Sequence, residues 1–236
     1  MSNVELFLDK YKELESVAVN SYGIRPDGSA VLQLEKRPEF RTIKSELTYC
    51  REVRNFLQHN PKIDSGFAVE PSLKMVELLT RLIEKLKNPL KSGEIAIPMQ
   101  DVYWKKMDDL VLPTMHDMKK NTYTHVPILE DGRVIGVFSD NTLFAYILED
   151  GIIGIDATTR FHDIKKHLEI KDRPSEIFKF AKFNTMVSEI EDIFEIAFRK
   201  NERVGMIFLT EKGSENEKLR GIITPWDIIA KDEDHS

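Results

Sequence analysis

The chain has 236 residues, 41% hydrophobic and 31% charged, with a formal net charge of −6. That length accommodates two small domains, and the composition is that of an ordinary soluble protein. A single cysteine, Cys50, excludes an internal disulfide framework, and no apolar run approaches the ~20 residues that a membrane-spanning helix needs.

Charge is unevenly spread. Residues 1–92 carry 15 Lys+Arg against 13 Asp+Glu, and residues 93–236 carry 19 against 27. The second part is a poor general platform for nucleic acid, whose phosphates call for a basic surface. The start, "MSNVELFLDKYKELE", has early acids and no basic segment leading into an apolar one. No secretory signal is expected, and a cytoplasmic location is.

In chain order, Phe7, Tyr11, Leu14 and Ala18 recur at helical spacing and predict a helix over 4–20. "SYGIRPDGSA" (21–30) holds two glycines and a proline and reads as a loop. A second helix is predicted from about 38 to 59, striped by Phe40, Ile43, Leu47, Cys50, Val53 and Leu57, with "NPKIDSG" ending it. A third covers about 71–87, with Met75, Leu79, Leu82 and Leu86 on one face. "KNPLKSGE" (87–94) reads as a boundary, so residues 1–90 form an all-helical domain.

The pattern then changes. Two β-rich runs, "HVPILE" and "RVIGVFS", flank Asp131-Gly132, a strong hairpin signal. Helical patterns lie before (110–121) and after (142–148). The order returns further on: a helix over about 186–200, "RVGMIFLT", a polar loop, "LRGIIT", and a short helix from Pro225. Two such units can hide their apolar faces against each other. The copies differ in hairpin length, ten positions from Val126 to Gly136 against seventeen from Val204 to Gly221. "KDEDHS" reads as a frayed acidic tail.

In each copy a strand runs through Gly-x-x-(Ser/Thr)-x-x-(Thr/Asp), with a helix starting at the hydroxyl residue: Gly136, Ser139 and Thr142, then Gly221, Thr224 and Asp227. Locally, Ser or Thr at such a junction is an N-cap whose oxygen accepts from free helical N–H groups. Pro225 suits the first helical position, and Asp227 suits the helix dipole. The same atoms also suit a ligand. A helix N-terminus attracts phosphate, and a neighbouring carboxylate can accept hydrogen bonds from a ribose diol.

On these residues, "HVPILEDGRVIGVFSDNTLF" and "RVGMIFLTEKGSENEKLRGIITPWDII", the chain over about 95–231 resembles a tandem CBS-domain pair, a Bateman module. The resemblance implies an α+β fold: an N-terminal helical domain (1–90), a β-α-β-β-α repeat at 95–150, and a second at 151–236 with a connecting segment at 151–176. It implies an adenosine-containing ligand (AMP, ADP or ATP) in a cleft between the repeats, and a homodimer. Thr224 and Asp227 would hold ribose and phosphate, with Gly221 and Ile222 beside them. Ser139, Thr142, Gly136 and Pro127 occupy the matching positions in the other cleft. Thr142 stands where the family pattern has Asp, and Gly205 where the first copy has Pro127. One competent site, not two, is expected.

In the second helix Arg54 falls in the apolar stripe, with Asn55 and His59 an i, i+4 pair. Arg-Asn-x-x-x-His over residues 36–60 resembles the signature of HEPN domains, many of them ribonucleases. That resemblance implies Arg54 on a scissile phosphate and His59 as acid–base group, with Asn55 between them. The alternative is structural: Arg54 pairs with Glu46 or Glu13, Asn55 is solvated, and His59 ends the helix.

The six histidines and one cysteine show no zinc spacing, and the standard phosphate loops are absent. Trp226 suits either packing or covering a ligand; Tyr103 and Trp104 suit either anchoring the linker or touching an adenine. The expectation is a nucleotide-sensing regulator that requires no cofactor, is more readily a non-enzyme than a ribonuclease, and signals through its helices to a protein or RNA target. A ligand-free CBS dimer is the third possibility.

Overall fold

Ser2 and Glu5 open the first helix with a reciprocal capping box. Glu5 N–H donates to Ser2 Oγ (3.2 Å), and Ser2 N–H donates to Glu5 Oε2 (2.8 Å). The computed structural model describes residues 2–26, 29–59, 67, 69–150, 154–171, 173 and 176–233. These divide into two compact units, Met1–Leu90 and Lys91–Ser236.

The first unit contains α1 (Asn3–Tyr22), α2 (Ala30–Glu35), a 3-10 segment (Pro38–Ile43), α3 (Lys44–His59) and α4 (Leu73–Lys87). Its stripes face inward as their spacing predicts: Phe7, Leu14, Ala18, Leu47, Cys50 and Leu79 are all fully buried. Each large side chain so placed contributes about 1.5–3 kcal/mol. Helix α1 ends at Gly23, whose φ of 61° is the left-handed conformation that stops a helix. Glu13 bridges Lys10 and Lys87 at 2.7 Å each, tying α1 to α4. Glu35, 6% exposed, is held by Arg51 through two hydrogen bonds of 2.7 and 3.2 Å.

Two sequence expectations need correction here. The stretch 21–30 is not all loop, since α1 runs to Tyr22 and Ser29 caps α2, accepting from Leu32 N–H at 3.2 Å. The helix over 38–59 is not continuous α-helix. Pro38 opens a 3-10 turn that kinks at Phe40 (φ −112°, ψ 17°) before α3 begins. The "NPKIDSG" stop lies outside the described residues.

The second unit contains α5 (Ser92–Ile95), β1 (Ile97–Pro98), α6 (Val111–Asn121), β2 (His125–Glu130), β3 (Arg133–Ser139) and α7 (Asp140–Asp150). A 3-10 segment (Phe161–Leu168) leads to β4 (Ile177–Lys182), α8 (Val187–Arg199), β5 (Val204–Thr210), β6 (Gly221–Ile223) and α9 (Pro225–Glu233). Strands β2 and β3 form the expected hairpin, with Asp131 (φ 50°) and Gly132 (φ 80°) both left-handed, as a tight primed turn requires. Lys105 adds one parallel bridge at Ile128, in the place of the first strand expected for this repeat. In the second repeat β4 runs parallel to β5, and β5 antiparallel to β6. Strand β1 joins that sheet through Ile97↔Ile222.

Strands β1 and β4 escape sequence patterning. The first is two residues long, and "IFKFAK" buries Phe178 and Ala181 three apart, which breaks the period of two. Helix α9 continues to Glu233, into the stretch expected to fray, and residues 234–236 lie outside the described set.

A shared core joins the repeats. Val134 and Val137 of β3 pack with Phe178 of β4, Phe208 of β5 and Ile222 of β6. The two motif glycines allow the close approach that completes this packing. A Cβ on Gly136 would lie 2.9 Å from the Leu168 carbonyl oxygen, and one on Gly221 would lie 2.8 Å from that of Ile97. In both repeats a linker backbone lies against the last strand at the same position.

Alanine at either glycine forces backbone to move. Gly136→Ala and Gly221→Ala should each destabilise by about 1–3 kcal/mol, read as a lower urea midpoint. Gly154, where an added Cβ would meet nothing within 4 Å, is the control. Equal midpoints for Gly136→Ala, Gly221→Ala and Gly154→Ala would refute the close-approach account.

Candidate nucleotide site

In the second repeat, β6 delivers Thr224 to the start of α9, with Pro225 as its first residue. Thr224 N–H and Oγ1–H both donate to Asp227 Oδ2, at 2.7 and 2.8 Å. The hydroxyl therefore donates to the carboxylate rather than accepting from the helix, contrary to the expected N-cap. Asp227 is half-buried, and its second oxygen, Oδ1, carries no hydrogen bond among the described residues. The carboxylate is oriented by its neighbour and keeps an acceptor available. Gly221 and Ile222 lie in the sheet, Ile222 paired with Ile97 and Phe208 and 6% exposed. What they can offer a ligand is backbone. Trp226, 74% exposed, is not a packing residue within this chain.

The first repeat has the same backbone plan and different chemistry. Ser139 Oγ accepts from Thr142 N–H (3.3 Å) and Thr142 Oγ1 accepts from Ser139 N–H (3.0 Å), a reciprocal cap on α7. Both residues are buried, at 1% and 2% exposure. The Ser139 hydroxyl donates onward to Glu176 Oε1 at 2.6 Å. Glu176, from the linker just before β4, also takes Arg173 Nη1 on Oε1 (2.6 Å) and Asn141 Nδ2 on Oε2 (2.9 Å). His125 Nε2 completes the set at 2.9 Å from Oε2, as donor, since Thr124 Oγ1 lies 2.8 Å from Nδ1 and can donate there. Burial alone would raise the Glu176 pKa; the bonds from His125, Ser139 and Asn141 outweigh it and hold it down to about 2.

Sequence reasoning misses this cluster. It singles out Ser139, but not Glu176, Arg173, His125 or Asn141. The one signal available is that His125 and Ser139 begin and end a hairpin of fixed register, which sets them opposite each other. Pro127, buried in β2, accepts from Lys105 N–H at 3.0 Å through its carbonyl. Gly205 is bare for a reason: a Cβ there would lie 2.8 Å from His125 Nε2. Tyr103 anchors the linker, donating to Asp117 Oδ2 at 2.6 Å and stacking on Tyr123. Trp104 packs against the inter-repeat core.

In the first unit, Arg54 and Asn55 meet and His59 stays apart. Arg54 Nη1 donates to Asn55 Oδ1 at 3.1 Å, and its guanidinium lies 5.7 Å from the centre of the Tyr11 ring. Its Nε is buried without a partner among the described residues. Neither Glu46 nor Glu13 holds it among the described residues, and Glu13 is taken by two lysines. Asn55 is thus not simply solvated; His59 is exposed at the end of α3.

Residues 96–149 match the sequence model of the CBS domain. A comparison with curated proteins found no match. Similar solved structures include an acetoin utilization protein, AcuB, from Vibrio cholerae, at 13% identity and a TM-score of 0.47, covering 63% of this chain and 93% of that one. CBSX2 in complex with AMP is 18% identical with a TM-score of 0.44, covering 61% and 97%. CbpB in complex with c-di-AMP is 15% identical with a TM-score of 0.48, covering 66% and 93%. None of these comparisons supports the HEPN resemblance of residues 36–60, nor the ribonuclease chemistry it implied for Arg54, Asn55 and His59. Among the described residues no helix is long and apolar enough to cross a membrane. Residues 96–149 thus carry the CBS-domain match, and the same helix–hairpin–helix order is repeated after them.

Proposed function

We propose that this chain is a cytoplasmic regulator whose second repeat binds an adenosine-containing nucleotide, AMP, ADP or ATP, at Thr224 and Asp227. The observation that carries this is the state of the Asp227 carboxylate. It sits in the first turn of α9, half-buried, fixed through Oδ2 by Thr224, with Oδ1 open. A ribose diol donates two hydrogen bonds, and a carboxylate so oriented can accept them. The nine-residue helix α9 adds N–H groups and a dipole that favour a phosphate. Exposed Trp226, next but one to Thr224, offers an aromatic face for a base.

Regulation then follows as a population shift. A ligand that binds one arrangement of the repeats better than another favours it by its differential affinity and by no more. The N-terminal helices would pass that bias to a protein or RNA partner, with a homodimer as the assembly.

A nucleotide at ~100 times its Kd adds about 2.7 kcal/mol of stability, which for a chain of this size is a rise of roughly 5–10 °C in Tm. AMP, ADP and ATP in a thermal-shift series should include at least one that does this. No shift with any of them at millimolar concentration would sink the proposal. Asp227→Ala removes a charged acceptor worth about 1.5–3 kcal/mol, so affinity should fall roughly 10- to 100-fold. Unchanged affinity would move the ligand elsewhere. Sedimentation velocity on the full chain should give a dimer; a monomer at micromolar concentration would remove the homodimer.

A further inference from the structure

Glu176 is a buried carboxylate with every acceptor position of the local geometry in use. Oε1 takes Ser139 and Arg173, Oε2 takes His125 and Asn141, and the residue is 2% exposed. Burying a carboxylate is unfavourable by several kcal/mol unless it is paired and hydrogen-bonded on all sides. Here the pairing is complete. Arg173 is equally committed. Its Nε donates to the Glu169 carbonyl (2.6 Å), and Nη2 donates to the carbonyls of His167 (3.2 Å) and Val137.

The location matters as much as the bonding. Ser139 is the counterpart of Thr224, each three residues past its glycine and each opening a helix. In the second repeat, Asp227 supplies the carboxylate that meets this hydroxyl. In the first, position 142 is Thr, and the carboxylate arrives instead from the linker as Glu176. Asp227 keeps an oxygen open, and Glu176 does not.

We propose that the crevice of the first repeat is an anion site whose ligand is the chain's own Glu176, and that this closes it to nucleotides and leaves one exchangeable site per chain. The closure to nucleotides rests on the function proposed above; the anion site does not. Displacing Glu176 would uncover a carboxylate that four donors satisfy and would strip Arg173 of its counter-charge. Gly205 leaves the room in which the His125 ring sits, since a Cβ there would lie 2.8 Å from Nε2.

The two halves are tested separately, in the full chain. Glu176→Ala empties the recess and leaves Arg173 charged, so formate, at an ionic strength matched with chloride, should refill it. We expect formate to raise the Tm of Glu176→Ala by about 2–4 °C more than that of wild type or of Glu176→Gln, whose amide still fills the space. Equal responses in all three proteins overturn the anion site. If Glu176→Ala folds too poorly for a melt, refolding yield is read instead: a higher yield in formate than in chloride supports the site, and equal yields overturn it. Calorimetry with the nucleotide that stabilises wild type should give one ligand per chain, bound roughly 10- to 100-fold more weakly by Asp227→Ala. Two per chain, or one of unchanged affinity in Asp227→Ala, overturns the closure. If wild type binds no nucleotide at all, the function proposed above fails, while the formate response still decides the anion site.

Discussion

In the second unit the sheet faces of the two repeats cover each other. Val137, at the centre of β3, and Phe208, in β5, are fully buried in one shared core. Neither repeat could keep that surface in water without losing the apolar burial that offsets its chain entropy. The linkers are laid down by the same packing. Leu168 lies on Gly136 and Ile97 on Gly221, so each linker crosses the last strand three residues before a hydroxyl. The positions of Ser139 and Thr224 therefore follow from how the sheets close, and their chemistry is set afterwards by what stands nearby.

What stands nearby differs in kind. A carboxylate meets the hydroxyl in both repeats, yet in one it comes from the same helical turn and in the other from a linker. A carboxylate within the turn is oriented by its own backbone and leaves an oxygen over. One imported from the linker arrives with an arginine and a histidine around it, and in a poorly hydrated recess such a cluster holds only if every member is satisfied. The two repeats share the geometry and differ in the electrostatics.

The sequence carries the repeated order of elements because that order is written in local signals: Asp131-Gly132 for the turn, Pro225 for the helix start, and the 3.6-residue stripe of Leu79, Leu82 and Leu86. Thr224 and Asp227 are legible for the same reason, being three residues apart. The Glu176 cluster is not, because its members lie up to 51 residues apart and meet only once the sheets have packed. The N-terminal arginine shows the converse error. Its place on the apolar face is readable, but its partner is not. A Tyr11 ring lies where an acid is expected, and Glu13 is already claimed by lysines.

The two hairpins close by different routes. In the first repeat two residues reverse the chain, and neighbouring strands meet almost as soon as they exist. In the second, β4 must wait for the whole of α8 before it finds β5, and β6 returns only after a loop of ten residues. Loop-closure entropy rises with separation, and contacts between distant residues slow assembly. The early ribbon therefore presents a ready template, with Leu219 N–H docking at 2.8 Å on the Gly132 carbonyl of its turn. Of the strand pairings in this unit, the one across the short turn closes at the least cost in chain entropy.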